Sequence, residues 1–276
     1  MDMNTNSNTY TVIYTTLVCV LVAAILAFVS QYLKPKQEAN EKAETISQIL
    51  TAAGFDEKAH WQEIGNAATI DFYKQNLEQA YTVNAKGETL STLDKDKADI
   101  LSVSGLKVQN RNIKGGKDFE VPVYAFSNGV TVIPVYGAGL WGPVWGYLSF
   151  DASLENIEGA YFDHESETPG LGGKIKDDPA FRAQFKGKTV DFSDAKAFQI
   201  VKGGAPAGKR NAIDAITGAT MTSKGVDEAI NNWLGAFKGF LEGRIQAKAE
   251  AEAAAAAAAA AEAEAQAEEN TDKTAE

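Results

Sequence analysis

Four hydroxyl side chains lie within seven residues of one segment, which reads Asp214-Ala215-Ile216-Thr217-Gly218-Ala219-Thr220-Met221-Thr222-Ser223. Downstream of it, apolar residues recur at three- and four-residue steps, at Val226, Ile230, Trp233, Leu234, Phe237 and Leu241. This spacing predicts a helix with one apolar stripe, so the hydroxyls lie where that helix begins. The unpaired N–H groups of a helix start favour an anion, and Gly218 and Ala219 allow a bulky group to approach the backbone closely.

These hydroxyls have two interpretations. In the first they only cap the helix, a role that Ser and Thr fill routinely. In the second, a hydroxyl beside a phosphate-friendly helix start carries a covalently attached phosphoester. Taken alone, the residue pattern is compatible with both, and capping is the commoner role.

The composition narrows the class of protein. The chain of 276 residues is 45% hydrophobic and carries a net charge of -11, which argues against nucleic acid as a partner because phosphate binding needs basic patches. A single cysteine, Cys19, excludes a disulfide framework and a cysteine-rich metal cluster. With only two histidines as well, we expect no metal site and assign no catalytic residue.

The N-terminal region predicts a membrane anchor, residues 1–33, with a span of about 11–31. Residues 12–29 are apolar except for two threonines, and no charge occurs between Asp2 and Lys34. That length is sufficient for a transmembrane helix. A cleaved signal peptide fits poorly because no basic residue precedes the apolar run and no clear cleavage site follows it. The lysines after the span would place the main domain in the cytoplasm by the positive-inside rule.

Three further units follow the anchor. A polar helix is predicted to begin after Pro35 and to form, with a linker, residues 34–66. Residues 67–243 predict a globular α+β domain with a mixed, mostly antiparallel sheet and packed helices, in which residues 90–116 are loop with one short strand. Asn128-Gly129 predicts a two-residue hairpin turn between residues 121–126 and 130–136. Residues 244–276 are an Ala/Glu-rich tail, predicted as an exposed, frayed helix with a disordered acidic tip.

Three segments of the domain admit a structural or a binding role. Residues 137–150 hold two tryptophans among glycines, which indicates either a bulged strand or an aromatic-lined pocket that accepts a planar ring. Residues 164–173 are either a surface loop or a binding loop in which Glu167 offers an acceptor and Thr168 a hydroxyl. Lys202, at a strand end, is either solvated or neutralises a phosphate.

Several motifs together resemble a known family. Asp214-x-x-Thr217-Gly218-Ala219-Thr220 resembles the flavinylation motif of bacterial FMN-binding domains, with Thr217 where Ser is commoner. With Tyr136-Gly-x-Gly-Leu-Trp-Gly-x-x-Trp-Gly-Tyr147, Glu167-Thr-Pro-Gly-Leu-Gly-Gly173 and the N-terminal span, the chain resembles the NqrC family, the C subunits of the Na⁺-translocating NADH:quinone oxidoreductase. The flavinylation and Glu-Thr-Pro-Gly motifs are shared with the G subunit of the Rnf ferredoxin:NAD⁺ oxidoreductase, and the Gly-Leu-Trp segment favours the NqrC family.

The resemblance implies a cofactor and a site. In such domains a flavin transferase moves FMN from FAD onto the last threonine of the quartet, here Thr220. The site would comprise Thr220, Thr217, Gly218, Ala219 and Asp214, and the residues that we expect to line the flavin are Leu140, Trp141, Glu167, Thr168, Leu171 and Lys202.

The resemblance also implies a role and a location. The chain would be an electron-carrier subunit without independent turnover, working with the A, B, D, E and F subunits. It would relay electrons between an iron–sulfur centre and another flavin while the complex couples NADH oxidation by quinone to Na⁺ export. Its flavin domain would lie on the periplasmic side of the cytoplasmic membrane, against the lysine distribution. The alternatives are the Rnf subunit and a membrane-anchored protein without cofactor.

Overall fold

The computed structural model describes residues 8–55 and 61–273. Its helices are α1 (Asn8–Ala52), α2 (Trp61–Ile64), α3 (Asn66–Asn76), α4 (Val103–Lys114), α5 (Lys174–Asp177), α6 (Pro179–Ala183) and α7 (Thr220–Lys273). Its strands are β1 (Leu77–Val83), β2 (Thr89–Thr92), β3 (Val121–Phe126), β4 (Thr131–Ala138), β5 (Pro143–Phe150), β6 (Ile157–His164), β7 (Gln199–Val201) and β8 (Ala212–Asp214).

The first six strands form one antiparallel sheet in the order β2-β1-β3-β4-β5-β6. Strands β7 and β8 form a separate parallel pair. Helices cover both faces of the sheet: α7 and α4 pack on one face, and α1 and α3 pack on the other. The predicted α+β class with a mostly antiparallel sheet is therefore confirmed.

Helix α1 is longer than the sequence pattern predicts. Its apolar window has a mean hydropathy of 2.7 and is exposed throughout, so by length and composition it fits a membrane span. The helix continues through Pro35 to Ala52, whereas we expected a new helix after the proline. A proline removes one backbone hydrogen bond and often bends a helix without ending it.

The end of α1 belongs to the globular domain. Ile46, Ile49 and Leu50 are fully buried against the sheet and α3, and the Asn128 side chain donates to the Ala53 carbonyl at 3.0 Å. The last part of the predicted connecting helix therefore belongs to the core as well, because its apolar face covers the sheet.

Two local predictions differ from the structure. The β3–β4 hairpin is confirmed, but only Gly129 has a positive φ (80°), so the turn is not the expected two-residue type. Residues 90–116 contain the twelve-residue helix α4 as well as β2. Helix α4 begins at Ser102, whose hydroxyl accepts from the Gly105 N–H at 3.2 Å. Its core-facing side carries Leu106, which is buried, and Val103 and Ile113, which are partly buried against the core.

Helix α7 confirms the predicted apolar stripe. Its buried side chains are Val226, Ile230, Trp233, Leu234 and Phe237. Trp233 Nε1 donates to the Tyr136 carbonyl at 2.9 Å and to Asn110 Oδ1 at 3.2 Å, which ties α7 to β4 and α4. The helix continues without a break past Gly243 into the alanine-rich tail, which was predicted to be helical because alanine has the highest helix propensity.

Candidate functional site

The segment ahead of α7 forms a tight turn. The Ala219 N–H donates to the Ile216 carbonyl at 3.1 Å, and Gly218 has a φ of 83°, a backbone conformation that favours glycine. The Ser223 hydroxyl accepts from the Ile216 N–H at 3.1 Å and is 2% exposed. This turn presents Thr217 and Thr220 outward and directs Ser223 inward.

Thr220 is the first residue of α7, and its side chain is exposed. Within residues 8–55 and 61–273, neither its hydroxyl nor that of Thr217 makes a hydrogen bond, and no acceptor meets the N–H groups of Thr220, Met221 or Thr222. Helix capping therefore does not account for Thr220. The arrangement leaves an accessible hydroxyl beside three open N–H donors at the positive end of a long helix.

Glu167 joins three segments of the chain at one buried carboxylate. It is 4% exposed; Oε1 accepts from the Trp141 N–H at 2.9 Å, and Oε2 accepts from the Thr222 hydroxyl at 2.6 Å. A Cβ at Gly139 or at Gly172 would lie 2.3 Å from one of these oxygens, so both glycines are required for this approach. Glu167 thus braces the site from within, whereas we expected it to face the flavin.

Four large apolar side chains around this brace are open to solvent. Leu140, Trp141, Leu171 and Met221 are 50%, 66%, 45% and 55% exposed. A Cβ at Gly218 would lie 3.1 Å from Leu171 Cδ2, so the loop at residues 168–173 adjoins the turn that holds Thr220. Exposed apolar side chains grouped in this way mark a ligand or partner site. Met221 did not figure in the sequence prediction, although its place next to Thr220 was a usable signal.

The remaining predicted site residues lie around the brace and the turn. Thr168 is exposed, and its carbonyl accepts from the N–H groups of Leu171 and Gly173. Lys202 is exposed at the end of β7 and pairs with no carboxylate of the described chain. Asp214 Oδ1 accepts from the Ala205 N–H at 2.7 Å, so the carboxylate fixes the loop after Lys202. The structure does not bring the Asp214 carboxylate into a hydrogen bond with Thr220.

A polar network behind the site connects it to α1. Asp163 is 2% exposed and accepts from Gln48 at 3.0 Å, from Lys176 at 2.8 Å and from the His164 N–H at 2.8 Å. His164 Nδ1 in turn accepts from the Glu167 N–H at 3.1 Å. The sequence analysis assigned no role to His164. No sequence pattern connects Gln48 with His164, because the two residues are far apart in the chain.

Burial keeps the nearby tyrosines protonated. The pKa of Tyr147 is raised well above its usual value by burial, with Tyr124 and Tyr161 adding to the effect. The pKa of Tyr136 is also raised, first by burial and then by Glu165. Neither phenol therefore carries charge at neutral pH.

Comparisons with known proteins agree with this geometry. A family model described as FMN-binding domain matches residues 139–235. The C subunit of the Na(+)-translocating NADH-quinone reductase of Vibrio vulnificus is 31% identical over 228 residues, covering 74% of this chain and 81% of that protein. The crystal structure of the same subunit from Parabacteroides distasonis is 32% identical, with a TM-score of 0.62 over 76% of this chain and 96% of its own. That of NqrC from Shewanella oneidensis is 25% identical, with a TM-score of 0.59 over 75% and 98%.

Proposed function

The chain belongs to the NqrC family, the C subunits of the Na(+)-translocating NADH-quinone reductases, and from this premise we propose that it carries FMN through a phosphoester bond to Thr220. As a member with an FMN-binding domain, it is an electron-carrier flavoprotein subunit of an oxidoreductase. Helix α1 fits the single-pass membrane anchor of a respiratory complex.

The observation that carries the attachment proposal is the accessible, unpartnered Thr220 hydroxyl at the start of α7. Of the four hydroxyls in the segment, those of Thr222 and Ser223 are buried and hydrogen-bonded within the protein. Thr220 is favoured over Thr217 because its oxygen lies on the helix itself, where open N–H groups stabilise a phosphate. In the transfer, a Thr220 Oγ1–phosphorus bond forms, the phosphoanhydride of FAD breaks, AMP leaves, and the threonine proton passes to a base of the transferase.

The apolar side chains suit the ring system of the flavin. Bound FMN supplies one- and two-electron redox chemistry at its ring. Leu140, Trp141, Leu171 and Met221 would cover part of that ring and exclude water there. Glu167 holds the backbone of Trp141 and the first turn of α7 in a fixed relation, which keeps the anchored phosphate and the apolar surface in register.

The proposal also covers the side of the membrane on which the flavin domain lies and its electron partners. We place the flavin domain on the periplasmic side of the cytoplasmic membrane, where it relays electrons between an iron–sulfur centre and a flavin of partner subunits. The complex would couple NADH oxidation by quinone to Na⁺ export. Family membership supports this orientation, whereas Lys34, Lys36 and Lys42 after the span argue for the opposite one. The named relatives favour this complex over the Rnf enzyme.

In-gel fluorescence tests the attachment directly. The full chain is expressed with its flavin transferase, denatured, separated by electrophoresis and viewed under ultraviolet light. We expect a fluorescent band in the wild type and in Thr217→Val, and none in Thr220→Val. A band that persists in Thr220→Val would move the attachment to another residue, and a wild type without any band would leave a tethered domain without covalent flavin.

A further inference from the structure

A basic cleft lies beside the attachment segment of this acidic protein. Residues 182–214 hold seven Lys and Arg against three Asp, in a chain with a net charge of -11. The cleft has a volume of about 550 Å³, and its charged and polar lining comprises Gln184, Lys186, Lys188, Lys209, Arg210 and Asp214. Such a local reversal of charge is the electrostatic signature of an anionic partner.

Two of the four cleft cations, Lys188 and Arg210, have no carboxylate within ion-pair distance among the described residues. Glu158 lies 3.7 Å from Lys186, whose side chain is 74% exposed. Arg210 donates to the neutral Asn156 at 3.0 Å. Lys209 pairs with Asp194 at 2.9 Å. Lys188 and Arg210 therefore leave positive charge in the cleft that no described carboxylate pairs with.

Asp214 connects this cleft to the attachment segment. It lines the cleft and is also the first residue of the motif that ends at Thr220. Its N–H donates to Gln184 Oε1 at 2.8 Å, and its carboxylate accepts from the Ala205 N–H at 2.7 Å, so both walls of the cleft are fixed to the end of β8. Asp214 is thus both a wall residue of the cleft and part of the segment that carries Thr220.

The lining chemistry favours a protein surface over a nucleotide. No aromatic side chain lines the cleft on which a purine could stack, since its other walls are glycine, alanine, proline and isoleucine. The cations are exposed lysines and one arginine, which suit carboxylates on a partner's surface. We propose that this cleft docks an acidic surface of the flavin-transferring enzyme and so sets the rate of FMN attachment. This inference rests on the proposed attachment at Thr220.

The test measures how fast covalent flavin appears on the full chain. Purified apoprotein in neutral detergent is mixed with FAD, Mg²⁺ and transferase, and in-gel fluorescence is followed with time. We expect Lys188→Glu/Arg210→Glu to slow attachment about tenfold at low ionic strength, and Lys188→Gln/Arg210→Gln to slow it less. The defect should shrink to within about twofold at about 0.5 M salt, where charges are screened beyond a few ångströms.

The matched control is Lys114→Glu/Lys117→Glu. It makes the same change in net charge at two exposed lysines outside the cleft, and it should attach flavin at the wild-type rate. Unchanged urea midpoints would show that the cleft variants are folded.

The other possible results of the flavinylation experiment would each overturn the docking inference, and they can be told apart. A cleft variant that is flavinylated at the wild-type rate removes the docking role and leaves attachment at Thr220 intact. A rate defect that appears only with anionic lipid vesicles assigns the cleft to the membrane surface, and one that vanishes when residues 245–276 are deleted assigns it to the acidic tail. Absence of covalent flavin in the wild type would instead remove the proposed function itself.

Discussion

Replacing Glu167 with alanine should release the three segments that meet at its carboxylate. The side chain is 4% exposed and accepts from the Trp141 N–H at 2.9 Å and from the Thr222 hydroxyl at 2.6 Å. A hydrogen bond to a charged group contributes about 1.5–3 kcal/mol, and truncation leaves both donors without an acceptor. We therefore expect Glu167→Ala to lower the free energy of unfolding by about 4 kcal/mol.

Two further variants separate the hydrogen bonds from the volume of the side chain. Glu167→Gln keeps the shape, its oxygen can still accept from Trp141, and its amide can donate to the Thr222 oxygen. Its cost should therefore be only about 1 kcal/mol. Thr222→Val removes one donor at nearly constant volume and should cost about 2 kcal/mol.

Urea unfolding of the full chain in neutral detergent, followed by tryptophan fluorescence, measures these free energies. The double variant Glu167→Ala/Thr222→Val should cost less than the sum of the single changes by about 1–3 kcal/mol, because both remove the same contact. Additive losses, or equal losses below about 1 kcal/mol for the alanine and glutamine variants, would refute the role of Glu167 as a brace.

Gly225→Ala should destabilise the domain by about 3 kcal/mol, because its Cβ would lie 2.1 Å from a carbonyl oxygen of β4. Gly235→Ala, in the same helix with nothing within 4 Å, should add about 1 kcal/mol through helix propensity. Hydrogen bonds from Lys209 and Asn211 lower the pKa of Asp194 to about 2. The stability that Asp194 contributes is thus present above about pH 4 and lost as the pH falls towards about 2, and Asp194→Asn should flatten the decline in melting temperature over that range. Gln48→Leu should cost about 2 kcal/mol because Asp163 loses a buried donor, whereas Ser47→Ala should be neutral. The urea unfolding midpoints of Gly225→Ala and Gly235→Ala are compared with each other, as are those of Gln48→Leu and Ser47→Ala. Equal midpoints within a pair would contradict the close packing of Gly225 or the Gln48–Asp163 hydrogen bond. An Asp194→Asn variant whose melting temperature declines in acid as the wild type's does would contradict the role of Asp194.

The sequence was most informative where a pattern is local. The apolar span, the stripe of α7 and the β3–β4 hairpin were predicted from spacing and are present. Helix α4 was missed because charged and polar residues separate its apolar positions Val103, Leu106 and Ile113, which pack against the core in the folded chain. The sequence predicted a connecting helix at residues 34–66, and only the contact with the sheet shows that Ile46, Ile49 and Leu50 belong to the core.

The candidate site divides in the same way. The hydroxyl-rich segment around Thr220 was identified from residue order, because a turn and a helix start are encoded by neighbours, whereas Leu140, Trp141 and Leu171 were expected from the resemblance. Of the neighbouring hydroxyls, Ser223 finds its partner within the segment, at the Ile216 N–H, whereas Thr222 finds it in the distant Glu167. Residue order gave no indication that Asp214 would bond to Ala205 instead of approaching Thr220.

By itself the sequence determined the class of the fold, an apolar N-terminal helix long enough to span a membrane, the family and the hydroxyl-rich segment, since each depends on patterns of neighbouring residues. Only the tertiary structure decided that Glu167 is a buried brace, that the end of α1 is part of the core and that Lys186, Lys188, Lys209 and Arg210 line one cleft. The physical reason is that burial and hydrogen-bond partners arise from surfaces that folding brings together. They therefore depend on residues far apart in the sequence and cannot be read from any one position.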